Sequence, residues 1–367
     1  MPSNAENNQT VMIEPFFSVI LPVYGVEDYV SDALEDLEAQ SFADWEVIII
    51  DDCSPDESRA IAEAFAARDS RFRIISHNVN RGLSAARNTG LHSACGEYIW
   101  FPDPDDRYDH DLLQQVADSL KRQRALVVMT GHSEEYFSSG GENTHSIDFA
   151  LKNKELYQKE LRALVMQLEK NTHYGYAWNK FYERSYLLEG DYRFTEDLPL
   201  IEDIEFNIRV FQNLPSLNIV GAPLYHYAKR EGSNLTNKFV PRYFEVHRQR
   251  IQMLRDQQES WGLLTDDSKG ILGGLFARYI LSALERNCEP ESNLNHSQRV
   301  SWCNRLFKDP LFQELIPCAQ ADSFILRACV KVLQHNNASI SVALGQIIHK
   351  AKHGLLHNLF MKIKASR

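Results

Sequence analysis

The sequence predicts an α/β fold, a doubly wound mixed sheet followed by a mainly helical C-terminal region. Two observations carry that reading. Short Val- and Ile-rich runs alternate with segments of helical periodicity as far as Met129, the pattern of successive βαβ units. Each apolar run also closes on a polar turn, and open α/β sheets bind ligands at the carboxyl ends of their strands.

Residues 16–21 (FFSVIL) and 46–51 (EVIIID) are continuous apolar runs, as expected of strands buried on both faces. Between them Val30, Leu34 and Leu37 recur at helical spacing after Glu27-Asp28. The alternation predicts a helix over 57–68 with Ile61 and Phe65 inward, a strand over 71–75, a helix over 84–92 and a strand over 97–101. A helix carrying Leu112, Leu113, Val116 and Leu120 then leads to a strand over 126–129. The Gly/Ser-rich stretch 138–141 reads as a loop. Beyond it the chain is expected to be mostly helical apart from strands at 217–220 and 224–227, with a boundary near Lys238 and long helices from Arg242 onward.

With 367 residues and 44% hydrophobic content, the chain can form one large domain and a smaller one. Cys53, Cys95, Cys288, Cys303, Cys318 and Cys329 form no C-x-x-C pair, which favours reduced thiols in a cytoplasm. No apolar run is long enough for a membrane span, and MPSNAENNQT lacks a signal-peptide core, so neither secretion by that route nor a spanning segment is expected. The net charge of −11 argues against nucleic acid as a partner. It is unevenly placed: residues 323–367 contain no Asp or Glu and seven basic residues, so −11 less +7 leaves −18 on the rest. Ile340, Leu344, Ile348, Ala351, Leu355 and Leu359 share a helical stripe there, beside Lys350, Lys352, Lys362 and Lys364. The segment could lie on an anionic membrane surface, or pack on the domain or in a homodimer.

Residues 101–106 read FPDPDD at the end of an expected strand. Asp103, Asp105 and Asp106 so close together would raise one another's pKa, a conflict that a hard divalent cation resolves; the bland alternative is an Asp/Pro turn before a helix. A dinucleotide site is excluded, because PVYGVED after the first strand has no G-x-G-x-x-G, and no Walker sequence occurs. Glu202-Asp203 opens the helical pattern Ile204, Ile208, Phe211, where the helix dipole favours ionised carboxylates; Glu196-Asp197 is a second acidic pair nearby.

Six segments in order, SVILPVYGVEDYV, EAQSFADWEVIIIDDCSPDES, NVNRGLSAARNTGLHSACGEYIWFPDPDD, AWNKFYERSYL, EDIEFNIRVF and PLYHYAKREGS, resemble family 2 of the glycosyltransferases, inverting nucleotide-sugar enzymes of GT-A fold. The resemblance implies a nucleotide-binding half over 16–130, an acceptor-binding half over 131–238, a polar segment over 1–15 and a helical region over 239–367. It places Pro22 and Tyr24 beside the nucleotide base, Asp52 or alternatively Asp51 in hydrogen bonding to that base, and Arg87 near the nucleotide. Asp105 is implied as the direct ligand of Mn²⁺ or Mg²⁺, with Asp103 toward the ribose, and Asp203 as the catalytic base with Glu202 beside it. Trp178, Asn179, Lys180, His226, Lys229 and Arg230 fall on the acceptor or diphosphate side, with His226 able to reach the metal or a phosphate oxygen.

Pro102 and Pro104 depart from the family pattern, and each removes a backbone N–H, which puts main-chain contacts to the donor in doubt. The Q-x-x-R-W element of processive synthases is absent. The expected activity is therefore single-sugar transfer from a nucleoside-diphosphate donor, UDP by expectation, to a glycan or lipid-linked glycan in surface polysaccharide synthesis. It would act in the cytoplasm or at the inner face of the membrane. The rivals are a sugar-1-phosphate nucleotidyltransferase and a non-catalytic nucleotide-sugar-binding scaffold.

Overall fold

A computed structural model describes residues 14–353 except 199, 231–239 and 241. The first half follows the expected alternation: β1 (Phe17–Val23), α1 (Val30–Glu38), β2 (Trp45–Asp51), α2 (Ser58–Arg68), β3 (Phe72–Ser76), α3 (Leu83–Ser93), β4 (Tyr98–Trp100), β5 (Arg107–Tyr108) and α4 (Leu112–Arg122). Parallel ladders join β3, β2, β1 and β4 in that order. The side-chain period of two sends alternate residues to opposite faces. Ile20, Ile48, Ile50 and Ile99 enter one core, while Val19, Leu21, Val47 and Ile49 enter another with α1, α2 and α4.

The second half corrects the expectation of a mostly helical segment. It contains β6 (Val127–Phe137), β7 (Asn143–Phe149), β8 (Lys154–Tyr157), α5 (Gln158–Lys170), β9 (Lys180–Glu183), α6 (Arg184–Glu189), α7 (Glu202–Phe211) and β10 (Ser216–Arg230). The strands expected at 217–220 and 224–227 are one strand, whose ladder with β6 shifts register between Val220 and Tyr225. Among the described residues the sheet runs β3-β2-β1-β4-β9-β6-β10-β5, with β7 on β6 and β8 on β10. β9 lies antiparallel between β4 and β6, which makes the sheet mixed.

The helices α8 (Tyr243–Ser260), α9 (Asp266–Arg286), α10 (His296–Leu306), α11 (Pro310–Leu315), α12 (Phe324–Gln334) and α13 (Ala338–His353) complete the described chain. They form no separate core: Ile251, Leu254, Ile271, Phe276 and Ile280 belong to the same cluster as Ile20 and Phe101. The expected boundary at Lys238, most of the polar N-terminal segment, and Leu355, Leu359, Lys362 and Lys364 lie outside the described residues. None of the described helices is long and apolar enough to cross a membrane, and the six cysteines are free thiols.

Candidate active site

The carboxyl ends of β1, β2 and β4 face the start of α7, and α3 supplies the residue that joins them. Gly82 precedes α3 with φ +86°, a left-handed conformation that glycine adopts without strain. Gly90 lets that helix approach β1, since a Cβ there would meet the Ile20 side chain at 2.2 Å. These contacts seat Arg87, which is 1% exposed. One guanidinium nitrogen donates to Asp203 Oδ1 at 2.5 Å and the other to Asp103 Oδ1 at 2.9 Å. Burial opposes its charge, but Asp203 and Asp103 outweigh it and raise the Arg87 pKa. Arg87 is thus the bridge between the two acidic motifs, a closer role than proximity to the nucleotide.

FPDPDD is a braced loop. Tyr225 donates its hydroxyl proton to Asp106 Oδ2 at 2.6 Å, and Ala228 N–H donates to Asp106 Oδ1 at 2.8 Å. Asp103 N–H donates to the Tyr225 hydroxyl at 3.1 Å, and the Tyr108 hydroxyl to the Asp103 carbonyl at 2.6 Å. Asp106 therefore holds the loop to β10, leaving Asp103 and Asp105 as the carboxylates with spare oxygens. Burial raises the Asp103 pKa to about 7, against Arg87 and with help from Asp105 and Asp203. Burial also raises that of Asp105, opposed by Arg230. Arg230 donates to the Asp105 carbonyl at 2.6 Å and lies 3.4 Å from its Oδ2, with its guanidinium over the Tyr29 ring at 3.9 Å.

Glu202 and Asp203 occupy the first turn of α7 as expected, and the structure separates them. Asp203 is fixed at both oxygens, by Arg87 and by Ala177 N–H at 3.0 Å. Glu202 Oε2 is buried without a hydrogen-bond partner, and burial together with Asp203 raises its pKa to about 7. The rival pair differs from it: Glu196 lies in a turn, nearly half exposed, 3.6 Å from Arg81 and accepting from Asn88 Nδ2 at 3.3 Å.

At the end of β2 both Asp52 oxygens are committed to protein. Oδ1 meets Arg81 N–H at 2.9 Å and His77 Nδ1 at 2.6 Å, and Oδ2 accepts from Gly82 N–H at 2.7 Å. Asp52 thus shapes the loop that opens α3. Asp51 gives Oδ1 to Ser54 N–H at 3.0 Å, while its Oδ2 has only exposed Arg59 at 3.8 Å. Of the two it is the freer acceptor for a base edge. Pro22 is buried within β1, and Tyr24 just beyond it is half exposed.

The Trp178-Asn179-Lys180 segment is placed behind the site. Trp178 is 2% exposed and stacks on Tyr225 with ring centroids 4.3 Å apart. Asn179 donates to the His173 carbonyl at 3.1 Å. Lys180 donates to the His173 carbonyl and Asn179 Oδ1, both at 2.8 Å, and to the Tyr176 carbonyl; burial lowers its pKa to about 7. These bonds fix the loop whose Ala177 N–H orients Asp203. His226 does not meet the Asp103 or Asp105 carboxylates, because its ring nitrogens lie 3.1 Å from Glu135 and Asp109. Lys229 pairs with Glu134 at 2.6 Å. Tyr108, Tyr225 and Tyr29 were not singled out by sequence; the aromatic spacing of YHY on β10 signals Tyr225, and Tyr108 in β5 and Tyr29 before α1 have no comparable pattern.

Asp103 and Asp105 fit a divalent cation. Two partly exposed carboxylates with raised pKa values, each with an oxygen not consumed by the scaffold, form a partial oxygen shell of the kind that Mg²⁺ or Mn²⁺ completes with phosphate oxygens and water.

Residues 18–189 match the family model for glycosyl transferase family 2. The uncharacterized glycosyltransferase EpsJ of Bacillus subtilis (strain 168) is 31% identical over 219 residues, 60% of this chain and 62% of EpsJ. The poly(ribitol-phosphate) beta-N-acetylglucosaminyltransferase TarS of Staphylococcus aureus (strain Mu50) is 27% identical over 238 residues, 63% of this chain and 39% of TarS. The alignment thus spans less than two thirds of either relative. A crystal structure of S. aureus TarS 1–349 in complex with UDP-GlcNAc shares the fold, with TM-score 0.63 and 21% identity over 91% of this chain and 92% of that one. Residues 18–189 are thus a glycosyl transferase family 2 region, and the sheet is of the GT-A type.

Proposed function

We propose that this chain is an inverting, non-processive glycosyltransferase that moves one sugar from a nucleoside-diphosphate donor, of the UDP type, to a hydroxyl of a cell-surface glycan. The observation that carries it is Arg87, which ties Asp103 on the donor side to Asp203 at the start of α7. In the single displacement the acceptor oxygen bonds to the anomeric carbon as the bond to the diphosphate oxygen breaks, and the hydroxyl proton passes to a carboxylate. Asp203 is that base, oriented by Arg87 and Ala177 N–H. Asp105 and Asp103 would hold a divalent ion, which would supply charge neutralisation at the leaving diphosphate. Arg230, over Tyr29 and beside Asp105, adds a guanidinium suited to phosphate oxygens. Asp51 and Tyr24 line the base end.

The specific polymer, the UDP nucleotide and the metal rest on the family resemblance, and the names of EpsJ and TarS support the reaction class. A second assignment of the base has its own support: Glu202 combines an unpartnered oxygen with a pKa near 7, where a general base works best. Calorimetry with Mn²⁺ and a panel of nucleotide sugars, followed by nucleoside diphosphate release, tests the reading. Donor binding with release, reduced ~10²–10⁴-fold in Asp203→Asn, supports it. The same loss in Glu202→Gln alone would move the base to Glu202. Pyrophosphate release from a nucleoside triphosphate would make it a nucleotidyltransferase, and binding without turnover across donors and acceptors a scaffold. We place the chain in the cytoplasm, brought to anionic membrane by its basic C-terminal segment; co-sedimentation with anionic vesicles checks this, and a vesicle-independent dimer would assign that segment to self-association.

A further inference from the structure

The helical region contains a cluster that the transfer reaction does not use. His349 and His353 stand four residues apart on α13, so both rings lie on one helix face. Glu285 of α9, with its side chain 4% exposed, lies under them. His349 Nδ1 is 3.2 Å and His353 Nε2 3.3 Å from the same oxygen, Glu285 Oε1. The two rings have centroids 4.7 Å apart at 45°, and one ligand atom from each of the three residues lies within 4.8 Å of the others.

We propose that Glu285, His349 and His353 bind a divalent transition metal ion of the zinc class, which fastens α13 to α9. Two donors and a carboxylate oxygen that each bind Zn²⁺ at ~2.0–2.1 Å in tetrahedral array stand ~3.3–3.4 Å apart. The two His-to-Glu separations are close to that edge length, so an ion can enter with small side-chain shifts. Imidazole nitrogens select zinc-like ions over Mg²⁺. Lys352 is the main opposing charge, and it lies 3.0 Å from Oε2, leaving Oε1 to the ion as a monodentate ligand. The residues between the histidines are Lys350, Ala351 and Lys352. A zinc hydrolase helix of the H-E-x-x-H type carries its general base directly after the first histidine. Here that position is lysine, so the sequence-adjacent general base of that motif is missing, and three protein ligands leave the fourth position to water.

Without an ion, the same atoms form a hydrogen-bonded ion-pair network, which is the competing account. The full chain, stripped with a chelator, is titrated with Co²⁺ and read by its visible ligand-field absorption. Thermal unfolding is then compared with Zn²⁺ and with Mg²⁺. The expected result is one Co²⁺ with an imidazole-type band, displaced by Zn²⁺, and a Tm raised by Zn²⁺ but not by Mg²⁺. His353→Gln, at a half-exposed position where the fold should persist by circular dichroism, is expected to weaken binding at least ~10-fold. Asp105→Asn, which removes the donor-site carboxylate, should keep the band. Equal titration of wild type and His353→Gln, loss of the band in Asp105→Asn, or no band and no Zn²⁺-dependent Tm rise in wild type would each overturn the proposal.

Discussion

The two halves of the sheet do different work, and they differ in how they are held. β1 to β4 form a parallel block in which β1, β2 and β4 are apolar runs buried on both faces and edge strand β3 is partly exposed, so the carboxyl ends of β2 and β4 present Asp51, Asp103 and Asp105. In the second half β6 and β10 are long, 11 and 15 residues, β8 and β9 are short, and the pairing is partly antiparallel. That half presents Asp203, Tyr225 and Arg230 through side-chain braces. The proposed donor side, built on strand ends, and the proposed acceptor side, built on hydrogen bonds, meet at one residue, Arg87. Both halves rest on apolar packing, and the second adds a few polar contacts that single substitutions can remove.

Arg87→Met cuts the link itself. It leaves Asp103 and Asp203 without their shared cation, and loss of ~3–5 kcal/mol is expected in urea unfolding; Arg87→Lys should recover only part, since one ammonium cannot reproduce the fork. Tyr225→Phe attacks the brace alone. It leaves Asp106 Oδ2 and the Asp103 N–H short of a partner, a cost of ~1–3 kcal/mol, read as a lower midpoint and a higher KM for donor. Retained stability in Tyr225→Phe would mean that the loop is held by its two prolines.

A pH series sharpens the contrast further. Asp103 and Glu202 are raised to about 7 from 3.8 and 4.5, chiefly by burial. The folded chain then holds protons that the unfolded chain has released, so their stabilising contribution is complete below about pH 4 and is lost as pH rises through 7. Metal-free protein should accordingly lose Tm across that window beyond the trend of an Asp103→Asn, Glu202→Gln double variant. Mg²⁺ or Mn²⁺ should restore more at the alkaline end than at the acid end. The smallest effect is expected at Glu196→Gln, an exposed position outside the site, where stability should change by less than ~0.5 kcal/mol and turnover not at all.

The same contrast explains what could be read from the sequence. FFSVIL and EVIIID are strands by composition alone, because a strand covered on both faces has no polar alternation to confuse it. NTHSIDF in β7 and KELY in β8 are polar segments with at most one covered face, and SEEYF at the end of β6 is polar although Ser133 and Glu134 are buried; nothing local separates them from loop. Glu202-Asp203 was legible as a helix start. Which oxygens were already committed was not, since Asp52, His226 and Lys180 are engaged by partners 25 to 117 residues away or by local carbonyls that only the folded chain brings within reach. Their residue types mark them as candidates, and in the fold each is engaged by protein partners.

The most direct test of a divided site joined at Arg87 is donor affinity and nucleoside diphosphate release measured together in Asp203→Asn with Mn²⁺. Donor binding at the wild-type level with turnover reduced ~10²–10⁴-fold is expected, because the donor block remains whole while the base is gone. Undiminished turnover would contradict Asp203 as the base, and loss of donor binding in the folded variant would contradict the division of the site into two halves.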